Sequence, residues 1–242
     1  MLLQFWQQAG NNSITNRKYC FRTMQIQSSR NFQPQLKKSS VHWADGSRTP
    51  SQSEEPQSGL KFNDTTMIGL GAGLAANVAA AGYPSTWLHE MGHAKMIGLM
   101  YDGASPTVEV FPFKGGVTKW RLAPLSDVGQ KFGPNGARAM VSAAGTLVDM
   151  GVATTTFGVG YKIRKEHPIL GTALMGYAGA TVANSIAYAA SAVGKDVAKL
   201  AMEGNDFAGL AVRAGIPPIV SIGIMAALLP LEYAVLRYLE KN

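Results

Sequence analysis

The chain runs to 242 residues, enough to bury a core in one domain or two modest ones. Only 15% of it is charged against 46% apolar, well under the roughly 25% charge of an ordinary soluble domain. Cys20 is the single cysteine, which excludes a disulfide framework and a cysteine zinc cluster, and the net charge of +7 is not laid out with aromatics on a folded face as nucleic-acid binding would require.

Residues 1–62 hold polar runs such as "SSRNFQPQLKKSS" and "SRTPSQSEEPQSG", which cannot bury enough apolar surface to offset ordering entropy. The expectation is a disordered basic N-terminal arm. Between Met1 and Ala44 it carries Arg17, Lys18, Arg22, Arg30, Lys37 and Lys38 and no acid, a pattern suited to an anionic membrane surface. Its start, "MLLQFWQQAGNN", lacks the continuous apolar stretch of a secretory signal. An acid-free, Arg- and Ser-containing start is similar to an organellar transit peptide, and equally suits another kind of secretion signal or a cytosolic tail.

Residues 63–242 have a different texture and read as a membrane-embedded body. "TMIGLGAGLAANVAAAGY" is uncharged and of about spanning length. Pro84 interrupts it, and "STWLHEMGHAKMIGLM" follows as a helix with Ser85 or Thr86 as the expected N-cap. Val108 and Val110 then alternate with Thr107 and Glu109, and Gly115–Gly116 are expected to turn, so a short β-hairpin is inserted here. Three further apolar segments cover 137–161, 169–194 and 215–239, with small residues such as Gly171, Ala173, Gly176 and Gly179 for close helix packing. The fold class expected is mainly α: a polytopic helical membrane protein with four to five membrane elements and a hairpin insertion. Lys162, Arg164 and Lys165, the basic arm, and Arg237 with Lys241 compete for the inside face.

The chemistry gathers in "STWLHEMGHAKM". On a helix, residues four apart share a face, so His89 and His93 can present two imidazole nitrogens to one tetrahedral Zn2+. Glu90, one residue round, can reach a water on that metal and act as general base. Three ionisable groups within an apolar stretch are costly in a membrane and are read as functional. A third protein ligand is needed. His42 lies in the arm and His167 in the basic "KIRKEHP" loop, so a carboxylate is expected, either Asp149 or Asp206.

The same residues resemble a family, the site-2 proteases, which are integral-membrane zinc metalloproteases. "LHEMGHAKMIGLM" looks like the first zinc helix of that family, and "VEVFPFKGGVT" resembles the strand and Gly-Gly segment that follows it. "SAAGTLVDM" resembles an A-G-P-x-x-N signature, with Thr146 and Asp149 in place of Pro and Asn, and "NDFAGLAVRAGIP" is similar to an aspartate-bearing stretch ending in Gly-Ile-Pro. The resemblance covers residues 66–235, and the missing L-D-G form marks a divergent branch. It implies His89, His93 and Asp206 as zinc ligands, with Asp149 the alternative third ligand or a partner of an imidazole. It implies Glu90 as the base in hydrolysis of a peptide bond in or near a transmembrane segment. The expected partners are the lipid bilayer and a membrane-protein or peptide substrate, with no nucleic acid. The strand at Val108–Phe113 would pair with that substrate by edge addition, or would anchor at the interface through Phe111, Phe113 and Trp120. A catalytically silent scaffold or chaperone of the same fold, or a transporter or channel subunit, are the competing readings.

Overall fold

The computed structural model describes residues 24–28 and 64–242. The disorder expected of the rest of residues 1–62 lies outside the described residues. In chain order the elements are β1 (Met24–Ser28), α1 (Asp64–Ala81), α2 (Pro84–Met100), β2 (Thr107–Phe111), β3 (Gly115–Trp120), α3 (Asp127–Ile163), α4 (Pro168–Ala190), α5 (Val197–Met202), α6 (Asp206–Ala214) and α7 (Pro218–Lys241). The molecule is mainly helical, as expected, with one small sheet inserted after α2.

The membrane elements are fewer than the four to five expected. Among the described residues two helices, α4 and α7, are long and apolar enough to cross a membrane, or three spans if α1 and α2, bent by 56° at their junction, act as one. The shortfall has a physical cause. Helix α3 interrupts its apolar run with Ser142, Thr146, Asp149 and the Thr154–Thr156 run. The threonine hydroxyls there turn back onto carbonyls of their own helix, as Thr155 does to Gly151 at 2.8 Å. Helices α1 and α2 have 18 and 17 residues and reach spanning length only together. Helix α7 exposes Ile219, Val220, Ile224, Leu231, Val235 and Leu239, an apolar surface compatible with lipid.

Helix α4 packs against α1 on one side and α3 on the other. Small residues bring the axes close: a Cβ on Gly73 would fall 2.8 Å from the Tyr177 backbone nitrogen. One turn along, Asn77 donates to Thr181 Oγ1 at 2.8 Å and accepts from Asn184 Nδ2 at 2.9 Å, a closed polar network between the helices. At the far end, Glu240 of α7 accepts from the Tyr161 hydroxyl at 2.6 Å and from Arg164 Nη2 at 2.9 Å, and pairs with Lys165. The two downstream basic groups that seemed to compete for one side therefore lie together.

Helix α2 begins on Pro84, whose fixed φ and missing N–H suit a first helical position. The expected cap is not used: neither Ser85 nor Thr86 caps, Tyr83 occupies the position without a side-chain bond, and Thr86 donates to the Ala81 carbonyl at 3.1 Å instead. Helix α3 is capped by Ser126, which accepts from Gly129 N at 3.0 Å, and breaks at Gly133 (φ 69°) just before Pro134.

The sheet has the order β1-β3-β2, all antiparallel, with Val108 opposite Thr118 and Val110 opposite Gly116. Strand β1 comes from the arm and lies on the other side of β3, with Ile26 opposite Thr118. The hairpin turn falls at 112–114, where Phe113 adopts φ 58°, and not at the Gly115–Gly116 pair. Those glycines open β3 instead, because a Cβ on Gly116 would sit 2.5 Å from Glu90 Cγ. Phe111 and Phe113 are exposed as expected of interface anchors, but Trp120 is buried and stacks on Tyr101 with ring centroids 4.7 Å apart.

Candidate metal centre

Helix α2 lies along α3, and the contact is set by glycine. A Cβ on Gly92 would come within 2.7 Å of the Ala144 carbonyl oxygen, so the space at Gly92 is taken by the α3 backbone. This approach places His89 and His93 over the α3 face formed by Val141, Gly145 and Asp149, spaced four apart. A Cβ on Gly145 would strike both imidazoles, 2.5 Å from His93 Nε2. Gly145 thus forms the floor of the centre.

Each imidazole is held from behind. His93 Nδ1 lies 2.6 Å from the Val141 carbonyl oxygen and His89 Nδ1 lies 2.8 Å from Asp149 Oδ2. A carbonyl and an ionised carboxylate only accept, so both rings carry their proton on Nδ1. In the neutral rings both Nε2 atoms then present a lone pair to the interior. Asp206, the first residue of α6, completes the group. Its Oδ2 lies 3.2 Å from His89 Nε2 and 3.3 Å from His93 Nε2, and the two Nε2 atoms are 3.2 Å apart.

With both rings neutral, three acceptors face one another, an arrangement that requires a proton or a metal cation among them. Their spacing suits a metal cation. Tetrahedral ligands at about 2.0–2.1 Å from a metal are about 3.3 Å from each other. The buried His89, His93, Asp206 group can hold a metal ion. Of the two candidate aspartates, Asp206 faces the convergent nitrogens and Asp149 stands behind His89.

The surroundings fix this geometry. Asn205 caps α6 by accepting from Ala208 N at 2.9 Å, and the Asp206 N–H donates to the Tyr188 hydroxyl at 3.1 Å. Asp206 Oδ1 is buried with no hydrogen-bond partner. Glu90 is fully buried, and its Oε2 accepts from the Thr118 hydroxyl of β3 at 2.8 Å. Its Oε1 is buried without a partner, the sort of orphan that an absent water or ion explains.

The sequence supplied His89, Glu90, His93 and both aspartates, while His167 caps α4 away from the centre, with no side-chain cap bond. His42 lies outside the described residues. Sequence reasoning missed Thr118, Gly116, Gly145 and Tyr188 as parts of the site. Gly145 carried a signal as the glycine of "AAGTLVD" and Gly116 as part of the Gly-Gly segment of "VEVFPFKGGVT"; nothing local marks a strand threonine as the partner of a helix glutamate. The chain matches no protein-family model, no curated protein and no solved structure, so its likeness to site-2 proteases rests on the quoted motifs alone.

Proposed function

We propose that the chain is an intramembrane zinc metalloendopeptidase of the site-2-protease kind, cutting a membrane-protein or peptide substrate in or near a transmembrane segment. One observation carries the reading: two Nε2 lone pairs and Asp206 Oδ2 converge at 3.2–3.3 Å beside a glutamate with one bonded and one free oxygen. Nitrogen and carboxylate donors in a set of three, with a fourth position left for water or substrate, favour zinc.

His89, His93 and Asp206 would hold the ion, which when bound supplies a Lewis acid for the scissile carbonyl and acidifies a water. Glu90 does the proton work. Thr118 fixes its Oε2, so Oε1 is the atom that takes the proton from the attacking water and returns it to the leaving amine nitrogen. Gly116 lets β3 approach Glu90 closely enough for that hydrogen bond. Asp149 and the Val141 carbonyl keep each imidazole in the tautomer that leaves Nε2 free. Burial of all these groups excludes bulk water and strengthens each interaction.

The substrate segment must be extended to offer a peptide bond. Strand β3 runs past Glu90 but has a neighbour on each side, whereas β2 has its outer edge free among the described residues. Edge addition to β2 is the proposed docking mode. The test is a Glu90→Gln protein, expected to keep stoichiometric metal and to lose cleavage of a reconstituted transmembrane substrate by about 10²-fold or more. Undiminished cleavage would remove Glu90 from the role of base. Metal retention with no cleavage by the wild-type protein of any transmembrane substrate tried would favour a metal-holding scaffold of the same fold.

A further inference from the structure

A second polar cluster lies one helical turn from the metal centre, on the same two helices, and the proposed reaction does not use it. Arg138 and Ser142 are four apart on α3 and share a face. Across from them, Arg213 of α6 donates from Nη1 to Ser142 Oγ at 2.7 Å. Gly209 permits this approach: a Cβ there would sit 2.5 Å from Ser142 Oγ and 2.9 Å from Arg213 Nη1. Two guanidinium groups are thus brought together between α3 and α6.

Nothing anionic is bound to them within the described chain. Neither Arg138 nor Arg213 forms a salt bridge among the described residues. Arg138 Nε and the hydroxyl of Tyr101, a residue only 3% exposed, are both buried without a hydrogen bond of good geometry, and the phenol lies against the Arg138 guanidinium. Burial, and then the neighbouring charge of Arg138, pull the Arg213 guanidinium below its ordinary value. Burial likewise pushes the Tyr101 phenol up, so it keeps its proton and remains a donor. Asp206 attracts Arg213 without bonding it, and an oxyanion between the two like charges would be held by both, the planar guanidinium fork matching a carboxylate. Both arginines are half-buried, which leaves the cluster reachable from outside.

We propose that Arg138, Arg213 and the Tyr101 and Ser142 hydroxyls form a carboxylate-binding subsite for the peptide substrate. Its place on α6 sets its register. Arg213 folds back so that its Nη1 lies 2.9 Å from a Cβ placed on Gly209, three residues and about 4.5 Å along α6 from Asp206, a distance an extended peptide covers in about one or two residues. The substrate therefore carries a carboxylate about one or two residues from the bond that is cut, either an acidic side chain or the end of the chain. This inference rests on the metalloprotease reading for the identity of the peptide, though not for the presence of the anion site.

The experiment uses the full chain in detergent, stripped of metal with chelator, so that a carboxylate cannot bind to an ion and failure of the protease reading leaves the result unchanged. Binding of acetyl-tetra-alanine free acid is compared by calorimetry with its terminal amide, and acetyl-Ala-Ala-Glu-Ala-amide with its glutamine counterpart. Inorganic phosphate forms a third arm. At least one carboxylate peptide should bind about tenfold tighter than its neutral twin, the first pair reporting a chain terminus and the second a side chain. Arg138→Gln and Arg213→Gln should each abolish that preference. Equal binding within both wild-type pairs, which needs no variant to fold, would overturn the proposal. So would a preference that survives both substitutions, or phosphate binding that depends on the arginines while both peptide pairs remain indifferent.

Discussion

The protein buries two polar clusters of similar size, and they differ in how their hydrogen bonds close. Between α1 and α4, Asn77 donates to Thr181 and accepts from Asn184, so donors and acceptors match and the network ends within itself. Between α2, α3 and α6, both imidazoles are held from behind, but with neutral rings the inner atoms are all acceptors: two Nε2 lone pairs, Asp206 Oδ2, and the free Oε1 of Glu90. The first cluster holds two helices together; the second is complete only with something positive or protic inside. Polar residues in an apolar body are thus told apart by the balance of donors and acceptors as well as by burial: the metal cluster is buried throughout, while the network of Asn77 and Thr181 reaches the surface at Asn184.

The sharpest way to break that comparison is to remove an inner acceptor. His89→Ala, His93→Ala and Asp206→Ala should each lose stoichiometric metal, measured by elemental analysis of the purified protein, because a three-ligand centre reduced to two no longer holds its ion firmly. Metal lost on Asp149→Ala yet retained on Asp206→Ala would reverse the assignment of the two carboxylates. Next in size is the outer bond itself. Asp149→Asn keeps the shape but weakens the hydrogen bond at His89 Nδ1, and metal affinity should fall by about 10–100-fold without being abolished, read by competition with a graded chelator.

How far the sequence revealed this difference depends on the length scale of each signal. The pair His89 and His93 was visible because helical periodicity puts i and i+4 on one face, and their role needs no knowledge of other elements. The choice between Asp149 and Asp206 was not visible, since each lies more than 55 positions from His89 in sequence and only packing decides which nitrogen it meets. The Gly115–Gly116 pair was misread for the same reason: a glycine pair after a strand signals a turn locally, while here Gly116 answers to the Glu90 side chain of another element. Span counting failed in a related way. Apolar length was read correctly for α4 and α7, but α3 spends its polar residues on the metal centre and on its own carbonyls, which lowers its suitability for lipid.

The closed network gives the complementary test. Asn77→Ala removes one bond from Thr181, which keeps its bond to the Tyr177 carbonyl, and one from the exposed Asn184, and should cost about 1 kcal/mol of stability in reversible unfolding. Metal content should not change, since no atom of that network faces the centre. A loss of metal on Asn77→Ala at a temperature where the protein stays folded would mean that the two clusters act as one unit.

The smallest expected effect probes the boundary between holding and reacting. Thr118 reaches Glu90 twice, with Oγ1 3.0 Å from its backbone oxygen and 2.8 Å from Oε2, so its single proton is shared between fixing the helix and fixing the carboxylate. Thr118→Val is close to isosteric and leaves the strand register opposite Val108 intact. It removes the donor, so Glu90 can turn either oxygen inward and must find its reactive orientation anew in each turnover. Turnover should fall by about tenfold, the worth of one hydrogen bond to a charged group, while metal content and KM stay as in the wild type. Thr118→Ser, which restores the hydroxyl, should recover most of the rate. A valine variant with unchanged turnover would show that burial alone orients Glu90, and the strand would then matter to the centre only through the space left by Gly116.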